Sequence, residues 1–535
     1  MTTTSQPQAP GQAPKSFGAL VHALALAPAL VAGALVHWPA LRMFFAQDDV
    51  TFLSRAAGLQ PTPWSMARPL SEGLAWRLQY AAFGLDPAPY AATRLVLHLA
   101  CAALVYAAGL RLLRSRGAAA AAALLFAASS VAFTPLHWGA CIVELLAALL
   151  ALAAFVVFLA ARARDSWPLA WLAGGFVAAA VLAKESTVTL PAVFALAPAY
   201  GRPARRALRT LLPAAAVVAL LGVAFLLTRS RFSYAQYTGG DAYAMDYSPG
   251  HLFANLSTYL QWLVTIGHPV RDRAAFADPN AWRAGGAVLA AAALALWACR
   301  RDERRAALVG TAWFAALLLP VLPLVNHSYY YYLYLPWAGA CWLVAATFEH
   351  FAARGARALV TALAVALLAT FVFAEWNNVR EREAAMMGPV PADKTVREGR
   401  LLGNLVQGLR AAKLARGEQV GFLSPWRGVH FQADGRERTD EDYRAYLPIE
   451  GVLRNGESLR LFLPGVTSLG FAGMPPPAWD GARLFLFEND GTLTPLGRGP
   501  RALLAYSVWL RRADRNAEAD TLMSRGLEAL MGARR

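Results

Sequence analysis

The sequence predicts an all-α polytopic membrane protein of about eleven transmembrane helices, with a small α/β soluble domain at its C-terminus. Three observations lead to this class. Apolar segments of about 18 to 22 residues, the length that spans a bilayer, recur as far as residue 374. Every second loop between these segments is rich in arginine. Beyond residue 375 the apolar runs shorten to strand length between Gly, Pro and Asp.

Composition narrows the class further. Apolar residues make up 57% of the 535 residues and the mean hydropathy is +0.37, which is unusual for a soluble domain. The formal net charge is +16, but the arginines lie in short loops, which indicates membrane topology rather than nucleic-acid binding. The four cysteines lie in or beside apolar segments without metal-ligand spacing, so neither a disulfide framework nor a zinc site is expected.

The predicted spans follow one another along the chain. The polar stretch 1–16 is predicted to be a disordered N-terminus, and the long apolar run after it a retained first span rather than a signal peptide. The transmembrane domain is predicted over 17–374. Its expected spans are 17–40, 89–112, 118–134, 138–161, 168–183, 186–200, 207–228, 283–299, 306–325, 333–351 and 356–374.

Charge predicts the orientation of these spans. The loops between spans 2 and 3, 4 and 5, 6 and 7, 8 and 9, and 10 and 11 all carry arginines. The positive-inside rule places these loops and the N-terminus in the cytoplasm, and the C-terminal domain in the periplasm, of a bacterial inner membrane. The larger outer loops are 41–88 and 229–282. Within them, 65–82 and 248–270 show helical apolar spacing and predict surface or re-entrant helices.

The C-terminal region predicts two units. The first, 375–500, has short apolar runs at 419–423, 459–463 and 482–487, which predict strands of an α/β domain. The second, 501–535, predicts a helical hairpin. It fits either one tetratricopeptide-like repeat or a capping pair of helices.

Adjacent carboxylates, Asp48 and Asp49, directly follow the first span. One of them can act as a general base that deprotonates an acceptor hydroxyl, whereas the alternative is a solvated loop pair or a helix N-cap. Arg68 lies on the expected surface helix. Its guanidinium can bind phosphate in bidentate fashion, or it can extend toward lipid headgroups.

Further polar groups fall on the same predicted outer face. His137 begins span 4, and Glu144 follows inside the membrane, where a carboxylate needs a cavity or a partner such as His98 or Arg94. Lys184 and Glu185 lie in a tight turn, as a phosphate-binding cation with its orienting acid or as a simple ion pair. An aromatic block containing the predicted pocket residues Tyr331, Tyr332 and Tyr334 adjoins His327. It can line a sugar or polyprenyl groove, or form an interfacial belt.

Carboxylates, cations and aromatics on one face fit transfer of a sugar from a lipid-linked phosphate donor. The lipid-phosphate leaving group needs cations, the acceptor hydroxyl needs a base, and the polyprenyl tail needs an apolar groove. The expected partners are therefore a polyprenyl-phosphate-linked sugar, a hydroxyl-bearing acceptor and the bilayer, with no nucleic acid.

Four ordered motifs resemble the GT-C superfamily of integral-membrane glycosyltransferases, and in particular bacterial relatives of protein O-mannosyltransferases that carry tetratricopeptide repeats. The motifs span roughly residues 40–350. They are Asp48-Asp49; Arg68-Pro69-Leu70 with Phe83-Gly84-Leu85, Pro87, Tyr90 and Leu97-His98-Leu99; Leu182-Ala183-Lys184-Glu185-Ser186 with Pro191; and Tyr332-Leu333-Tyr334-Leu335-Pro336.

The resemblance implies a GT-C fold, a polyprenyl-phosphate donor and inversion at the anomeric carbon. It implies that Asp48 is the base and that Asp49 positions the acceptor or a divalent metal such as Mg²⁺ or Mn²⁺. Arg68, Lys184 and His327 are the expected phosphate ligands.

The chain departs from the family pattern at two places. Ile142 and Tyr331 stand where relatives often have arginine. Either the remaining cations together with His137 suffice, or the donor differs, or the chain is partly degenerate. The alternative function is a catalytically silent scaffold or lipid-carrier-binding protein of the same fold. A transporter is less favoured, because the spans show no inverted repeat.

Overall fold

The computed structural model describes residues 15–62, 67–198, 200, 203–228, 244–264, 279–299, 301–325, 327–387, 390–424, 452–488 and 491–532. Helices dominate these residues. In chain order they are α1 (Lys15–His37), α2 (Asp49–Ala56), α3 (Trp76–Phe83), α4 (Pro87–Leu112), α5 (Arg116–Ala128), α6 (Phe133–His137), α7 (Ile142–Arg164), α8 (Trp167–Ala183), α9 (Leu190–Leu196), α10 (Ala204–Arg209), α11 (Leu212–Thr228), α12 (Pro249–Val264), α13 (Pro279–Ala298), α14 (Arg301–Leu318), α15 (Tyr334–Arg354), α16 (Arg357–Ala384), α17 (Lys394–Ala411), α18 (Glu457–Phe462), α19 (Gly499–Arg512) and α20 (Asn516–Gly532).

Six helical segments of the described chain are long and apolar enough to cross a membrane. They are Leu20–Arg42, Pro87–Leu112, Gly139–Arg164, Ala204–Thr228, Arg304–Val321 and Arg357–Ala384. A bent pair, Arg116–Ala128 with Ser130–His137, makes a seventh if it counts as one span. The chain is thus a multi-pass membrane protein, while the count of eleven spans stays a prediction.

The predicted span 186–200 does not form one continuous helix. Its start is a 3₁₀ segment, Glu185–Thr189, and the seven-residue helix α9 follows. Seven residues rise only about 10 Å, far less than a bilayer needs. The β-branched run from Thr187 to Thr189 and Pro191 explain the break, since both disfavour the interior of a helix.

Small residues bring the membrane helices together. Helix α7 packs against α8, and α14 packs against α15. At the second contact the backbones nearly touch, because a Cβ on Gly310 would lie 2.5 Å from the carbonyl oxygen of Gly339. Close approach at glycine and alanine is how helices associate in a membrane, where the hydrophobic effect between them is weak.

Irregular backbone collects at one end of the bundle, where α7 and α15 begin and α8 ends. Short 3₁₀ segments lie there at Gly139–Cys141, Glu185–Thr189 and Tyr330–Leu333. We call this the site end. The basic residues of the predicted cytoplasmic loops flank the opposite ends of the helices, as in Arg162 and Arg164 at the last turn of α7.

A four-stranded sheet forms the centre of the C-terminal domain. Its strand order is β4 (Thr467–Ala472), β3 (Gln419–Leu423), β5 (Arg483–Phe487) and β6 (Leu493–Arg498). The pairs of β3 with β4 and with β5 are parallel, and β5 pairs with β6 in antiparallel fashion. Two short strands, β1 (Met386–Met387) and β2 (Val390–Pro391), pair nearby.

One predicted strand of this domain is wrong. The run 459–463 lies mainly in helix α18, not in the sheet. Its short apolar run suits a buried helix as well as a strand, and periodicity alone does not separate the two. Helices α19 and α20 form a hairpin, which packs Leu503 and Leu510 into one apolar cluster with Leu484 of β5. The hairpin thus covers the sheet.

The C-terminal domain docks on the site end through a shared apolar cluster. Phe45 and Val50, next to the aspartate pair, join the cluster with Phe462 of α18. The rings of Phe44 and Phe462 lie 5.6 Å apart. Hydrogen bonds border the cluster, including Gln47 Nε2 to Thr395 Oγ1 at 2.9 Å. The membrane helices and the soluble domain therefore meet around residues 44–50.

Candidate functional site

Asp49 is a buried carboxylate that three backbone N–H groups hold at the start of α2. Its Oδ2 accepts from the N–H of Ala46 at 2.9 Å and of Gly139 at 3.3 Å, and its Oδ1 accepts from that of Ala140 at 2.6 Å. Gly139 permits this approach, because a Cβ there would lie 2.8 Å from the carboxyl atoms. The carboxylate therefore joins α2 to the turn that begins α7.

Burial controls the protonation of Asp49. Loss of solvent raises the pKa of its carboxyl from 3.8 to about 7, although the backbone N–H groups and the Arg94 guanidinium oppose the rise. Arg94 itself donates from Nε to the carbonyl of Leu136 at 2.9 Å. Since both oxygens of Asp49 already accept backbone hydrogen bonds, the residue suits positioning better than contact with a substrate.

Asp48 is the exposed member of the pair. Its side chain is 54% exposed and faces the C-terminal domain, where Nη2 of Arg454 lies 3.4 Å from its Oδ1. The same nitrogen donates to Thr51 Oγ1 at 3.2 Å. A carboxylate with this exposure can still receive a proton from a bound hydroxyl.

Glu144 and Lys184 form a buried ion pair between the start of α7 and the end of α8. Lys184 Nζ donates to Glu144 Oε1, and both side chains are less than a tenth exposed. The ammonium also lies 4.4 Å from the centroid of the Tyr332 ring, which is a cation–π contact. The partner of Glu144 is thus Lys184, rather than the expected His98 or Arg94.

Arg68 binds Glu185 in a fork. Its Nε donates to Oε2 at 2.9 Å and its Nη2 to Oε1 at 2.6 Å. Its Nη1 donates to Glu72 Oε1 at 3.2 Å. Next to it, Ser71 Oγ donates to the carbonyl of Ala183 at 2.7 Å. These bonds fasten the segment before α3 to the end of α8.

The two predicted histidines lie in different surroundings. His137 is fully buried, with its ring stacked 3.8 Å from that of Phe133 and its Nδ1 2.8 Å from the Phe133 carbonyl oxygen. His327 is partly exposed, and its ring lies 4.5 Å from that of Tyr329. His327 is therefore placed beside the tyrosine block, whereas His137 lies within the core.

The tyrosine block packs as a unit against the ion pair. The Tyr331 ring stacks on that of Tyr329, with centroids 5.2 Å apart. The Tyr334 hydroxyl lies 2.9 Å from Nδ1 of His98, so it points into the bundle rather than toward a surface. Of the three predicted pocket tyrosines, Tyr332 is the one in contact with Lys184.

A series of contacts connects the predicted residues at the site end. Asp49 binds the turn that begins α7, Glu144 follows in the first turn of α7, Lys184 binds Glu144, and Arg68 binds the neighbouring Glu185. Distant motifs are thus brought together. Lys184 and Arg68, however, already neutralise carboxylates, so a phosphate would have to compete for them.

Arg454 is the site residue that sequence reasoning missed. It lies in the C-terminal domain, 406 residues beyond Asp48 in the sequence. It belongs to none of the four motifs, so no local pattern could reveal it. Ile142, one of the two positions where an arginine was considered from the sequence, is buried in the apolar cluster with Phe45 and Val50, where a cation would lack solvent.

A divalent metal finds few ligands here. Among the described residues, no three His, Cys, Asp or Glu side chains converge as a metal site requires. Of the two aspartates, only Asp48 keeps an oxygen that is not held by backbone donors. The residues present therefore do not fit a metal bound jointly by Asp48 and Asp49.

Comparison with known proteins gives structural neighbours. No protein-family model matches the chain, and no curated protein matches its sequence. Three solved structures of the Archaeoglobus fulgidus oligosaccharyltransferase are similar to it. The apo form has a TM-score of 0.46 at 11% identity, over 87% of this chain and 66% of that chain.

The other two structures contain peptides. The form tethered to an acceptor peptide with the NVT sequon has a TM-score of 0.44 at 12% identity, over 82% of this chain and 63% of that one. The complex of this oligosaccharyltransferase, AglB, with an inhibitory peptide and a dolichol-phosphate has 0.44 at 13%, over 82% and 64%. This chain thus spans less than two thirds of the length of these neighbours.

Proposed function

We propose that the chain is a membrane glycosyltransferase that moves a sugar from a polyprenyl-phosphate-linked donor to a hydroxyl acceptor on the periplasmic face, with inversion. The observation that carries the proposal is the meeting of distant motifs at one end of the helices. Asp48 is an exposed carboxylate there and directly precedes the anchored Asp49, while Lys184 and Arg68 are each paired with a carboxylate at the same end.

In this reaction Asp48 acts as the general base. It takes the proton of the acceptor hydroxyl while the acceptor oxygen bonds to the anomeric carbon of the sugar. The bond from that carbon to the phosphate oxygen breaks, and polyprenyl phosphate leaves with the electron pair. Attack and departure on opposite faces of the ring give inversion.

Asp49 orients the base without touching the acceptor. Its bonds to Ala46 and to the turn at Gly139 and Ala140 fix the backbone from which Asp48 projects. A displacement of about 1 Å at a reacting group can cost about 100-fold in rate, so this anchor matters for activity as well as stability.

The leaving phosphate requires cations, and Arg68 and Lys184 are proposed to supply them with help from His327. In the structure Arg68 is paired with Glu185 and Lys184 with Glu144. The phosphodiester of the donor carries one negative charge, as a carboxylate does, and it gains a second charge and a third terminal oxygen as its bond to the sugar breaks. It therefore competes for these donors most strongly as the phosphate leaves. The buried tyrosines offer an apolar wall for the sugar or the first isoprene units.

The same pairing favours the alternative, a silent scaffold that holds a lipid carrier. Arg68 and Lys184 are the two permanently charged residues that the sequence predicts to bind phosphate. Each is already neutralised by a glutamate of the protein. A protein of this kind would bind polyprenyl phosphate but transfer no sugar.

Asp48→Asn separates the two functions. Purified protein in proteoliposomes receives tritium-labelled hexoses linked to polyprenyl phosphate, together with a total membrane extract as the source of acceptors. Loss of the base is expected to lower transfer of label out of the lipid by about 100- to 10,000-fold. The matched control is Glu381→Gln, which replaces an exposed carboxylate in the last turn of α16. This variant should transfer sugar at the wild-type rate.

Two results would contradict the enzyme. One is Asp48→Asn protein that transfers label at the wild-type rate. The other is wild-type protein that binds the labelled lipid but transfers nothing from any of the hexoses, as the scaffold would.

A further inference from the structure

The C-terminal domain places a cation directly beside the proposed base. Arg454 Nη2 lies 3.4 Å from Asp48 Oδ1 and donates to Thr51 Oγ1 at 3.2 Å. Asp48 and Thr51 are one helical turn apart, so a single guanidinium nitrogen bridges the start of α2. Nearby, Gln60 Nε2 donates to Glu457 Oε1 at 2.7 Å and holds the same two segments together.

The backbone that presents Arg454 is strained. Arg454, Asn455 and Gly456 follow one another with φ of 45°, 53° and 81°. A residue with a side chain carries a conformational cost in the left-handed region, and arginine, unlike asparagine, does not offset it with a short-range bond from its side chain to its own backbone. Arg454 also pairs locally with Glu457, with Nε 3.9 Å from Oε2, but partly exposed ion pairs contribute only about 0 to 1 kcal/mol each. The two pairs therefore offset the cost of the turn at most in part, and strain of this kind collects at functional sites.

The geometry assigns Arg454 to the acceptor side of the reaction. In an inverting transfer the base and the leaving phosphate lie on opposite faces of the sugar ring. A guanidinium in contact with Asp48 is thus on the side where the acceptor hydroxyl arrives, away from the phosphate. Arg454 is 28% exposed, and a guanidinium carries five donors, so its contacts with Asp48, Thr51 and Glu457 still leave donors for a bound acceptor.

Resting on the proposed function, we propose that Arg454 is a positioning residue for glycosyl transfer, supplied by the C-terminal domain. It orients the Asp48 carboxylate toward the acceptor hydroxyl. The membrane domain is competent for transfer only while the segment from Val452 to Phe462 is docked on α2. The soluble domain is in this way part of the reaction, and not only a surface that recognises the acceptor.

The test uses Arg454→Ala, Arg454→Lys and a matched control in the full-length protein. Arg460→Ala is the control, because Arg460 lies on the exposed side of α18, six residues away in the same docked segment. Transfer from tritium-labelled polyprenyl-phosphate hexoses to a membrane extract is measured in proteoliposomes. Varying the labelled donor separates kcat from the donor KM.

Arg454→Ala should lower kcat by about 10-fold or more while the donor KM stays within about twofold, because the misplaced base affects the reacting geometry and not the donor. Arg454→Lys should fall between Ala and wild type, since lysine restores the charge without the planar fork. Millimolar guanidinium chloride should restore part of the rate of Arg454→Ala. A merely structural arginine would not respond to added guanidinium in this way.

The possible failures are distinct. If the wild type transfers and Arg454→Ala matches Arg460→Ala in kcat, the assignment of Arg454 is overturned while the proposed function stands. A raised donor KM at unchanged kcat would also overturn it, by placing Arg454 on the phosphate. Wild-type protein without transfer overturns the proposed function, and this inference with it.

Discussion

Replacing Asp49 with alanine should destabilise the protein far more than replacing Asp48, although the two residues are adjacent and identical. Asp49→Ala removes the acceptor of three backbone hydrogen bonds, from Ala46, Gly139 and Ala140. The N–H groups of residues 139 and 140 open the turn before α7, and burial leaves little water to replace the carboxylate.

The magnitude follows from these bonds. A hydrogen bond contributes about 0.5 to 1.5 kcal/mol net, and a buried donor left without a partner costs about 1 to 3 kcal/mol. The 3.3 Å bond from Gly139 is long and contributes least. Because the three bonds share one acceptor, their losses overlap, and we expect about 3 to 5 kcal/mol in total. Asp48→Ala removes one exposed ion pair with Arg454, worth about 0 to 1 kcal/mol.

Thermal unfolding in detergent with a thiol-reactive fluorescent dye measures the difference. The four cysteines, Cys101, Cys141, Cys299 and Cys341, are buried thiols, so they react only as the bundle opens. At roughly 1 to 2 °C per kcal/mol for a chain of this size, Asp49→Ala should lower the Tm by about 3 to 10 °C. The Tm of Asp48→Ala should stay within about 2 °C of wild type.

A second variant tests the cause. Gly139→Ala adds a Cβ that would lie 2.8 Å from the Asp49 carboxyl atoms and should disturb the same contact from the other side. If the carboxylate anchors this turn, the losses of Gly139→Ala and Asp49→Ala will be clearly less than additive in the double variant. Equal Tm values for Asp49→Ala and Asp48→Ala would show that the Asp49 carboxyl group does not anchor the turn.

Two further predictions use the same unfolding assay. The pKa of Asp49 is raised from 3.8 to about 7, so its neutral form contributes stability that is complete below about pH 4 and is lost as the pH rises through 7. The stability advantage of wild type over Asp49→Asn should therefore shrink by roughly 2.5 kcal/mol between pH 5 and 8, and a constant difference would contradict the raised pKa. Glu144→Gln and Lys184→Met should each cost about 3 to 5 kcal/mol, because each leaves a buried charge unpaired. The double variant should recover most of this loss, and additive losses would show that the pair is not coupled.

Apolar periodicity predicted most of the helices, because residues that face lipid or a bundle core repeat along the chain. The surface or re-entrant helix expected at 248–270 corresponds to α12 as far as Val264, with 265–270 outside the described residues, and its Asn255 and Tyr259 are buried rather than on a surface. The apolar runs at 419–423 and 482–487 correspond to strands. The run 459–463 failed, since α18 and a strand can bury the same short apolar run. The break at Glu185–Thr189 was also missed, because average hydropathy does not register β-branched residues and proline.

Motif spacing identified Glu144, Lys184, Arg68 and Glu185 as polar residues that need partners, and the structure pairs them with one another. The resemblance assigned Asp48 as the base, but the residues themselves did not indicate which aspartate is buried. Asp48 and Asp49 have the same chemistry and neighbouring positions, so nothing local indicates which one is buried. That depends on where the turn at Gly139 lies.

By itself the sequence determined that this is a helical membrane protein with a soluble C-terminal domain, because long apolar segments exclude water wherever they pack. It also determined which charged residues are too costly to leave unpaired near the membrane. Only the tertiary structure decided that Asp49 is an anchor, that Asp48 is the exposed carboxylate, and that Arg454 faces it. The physical reason is that burial and ion pairing depend on distances between residues far apart in the chain, and a linear pattern carries no such distances.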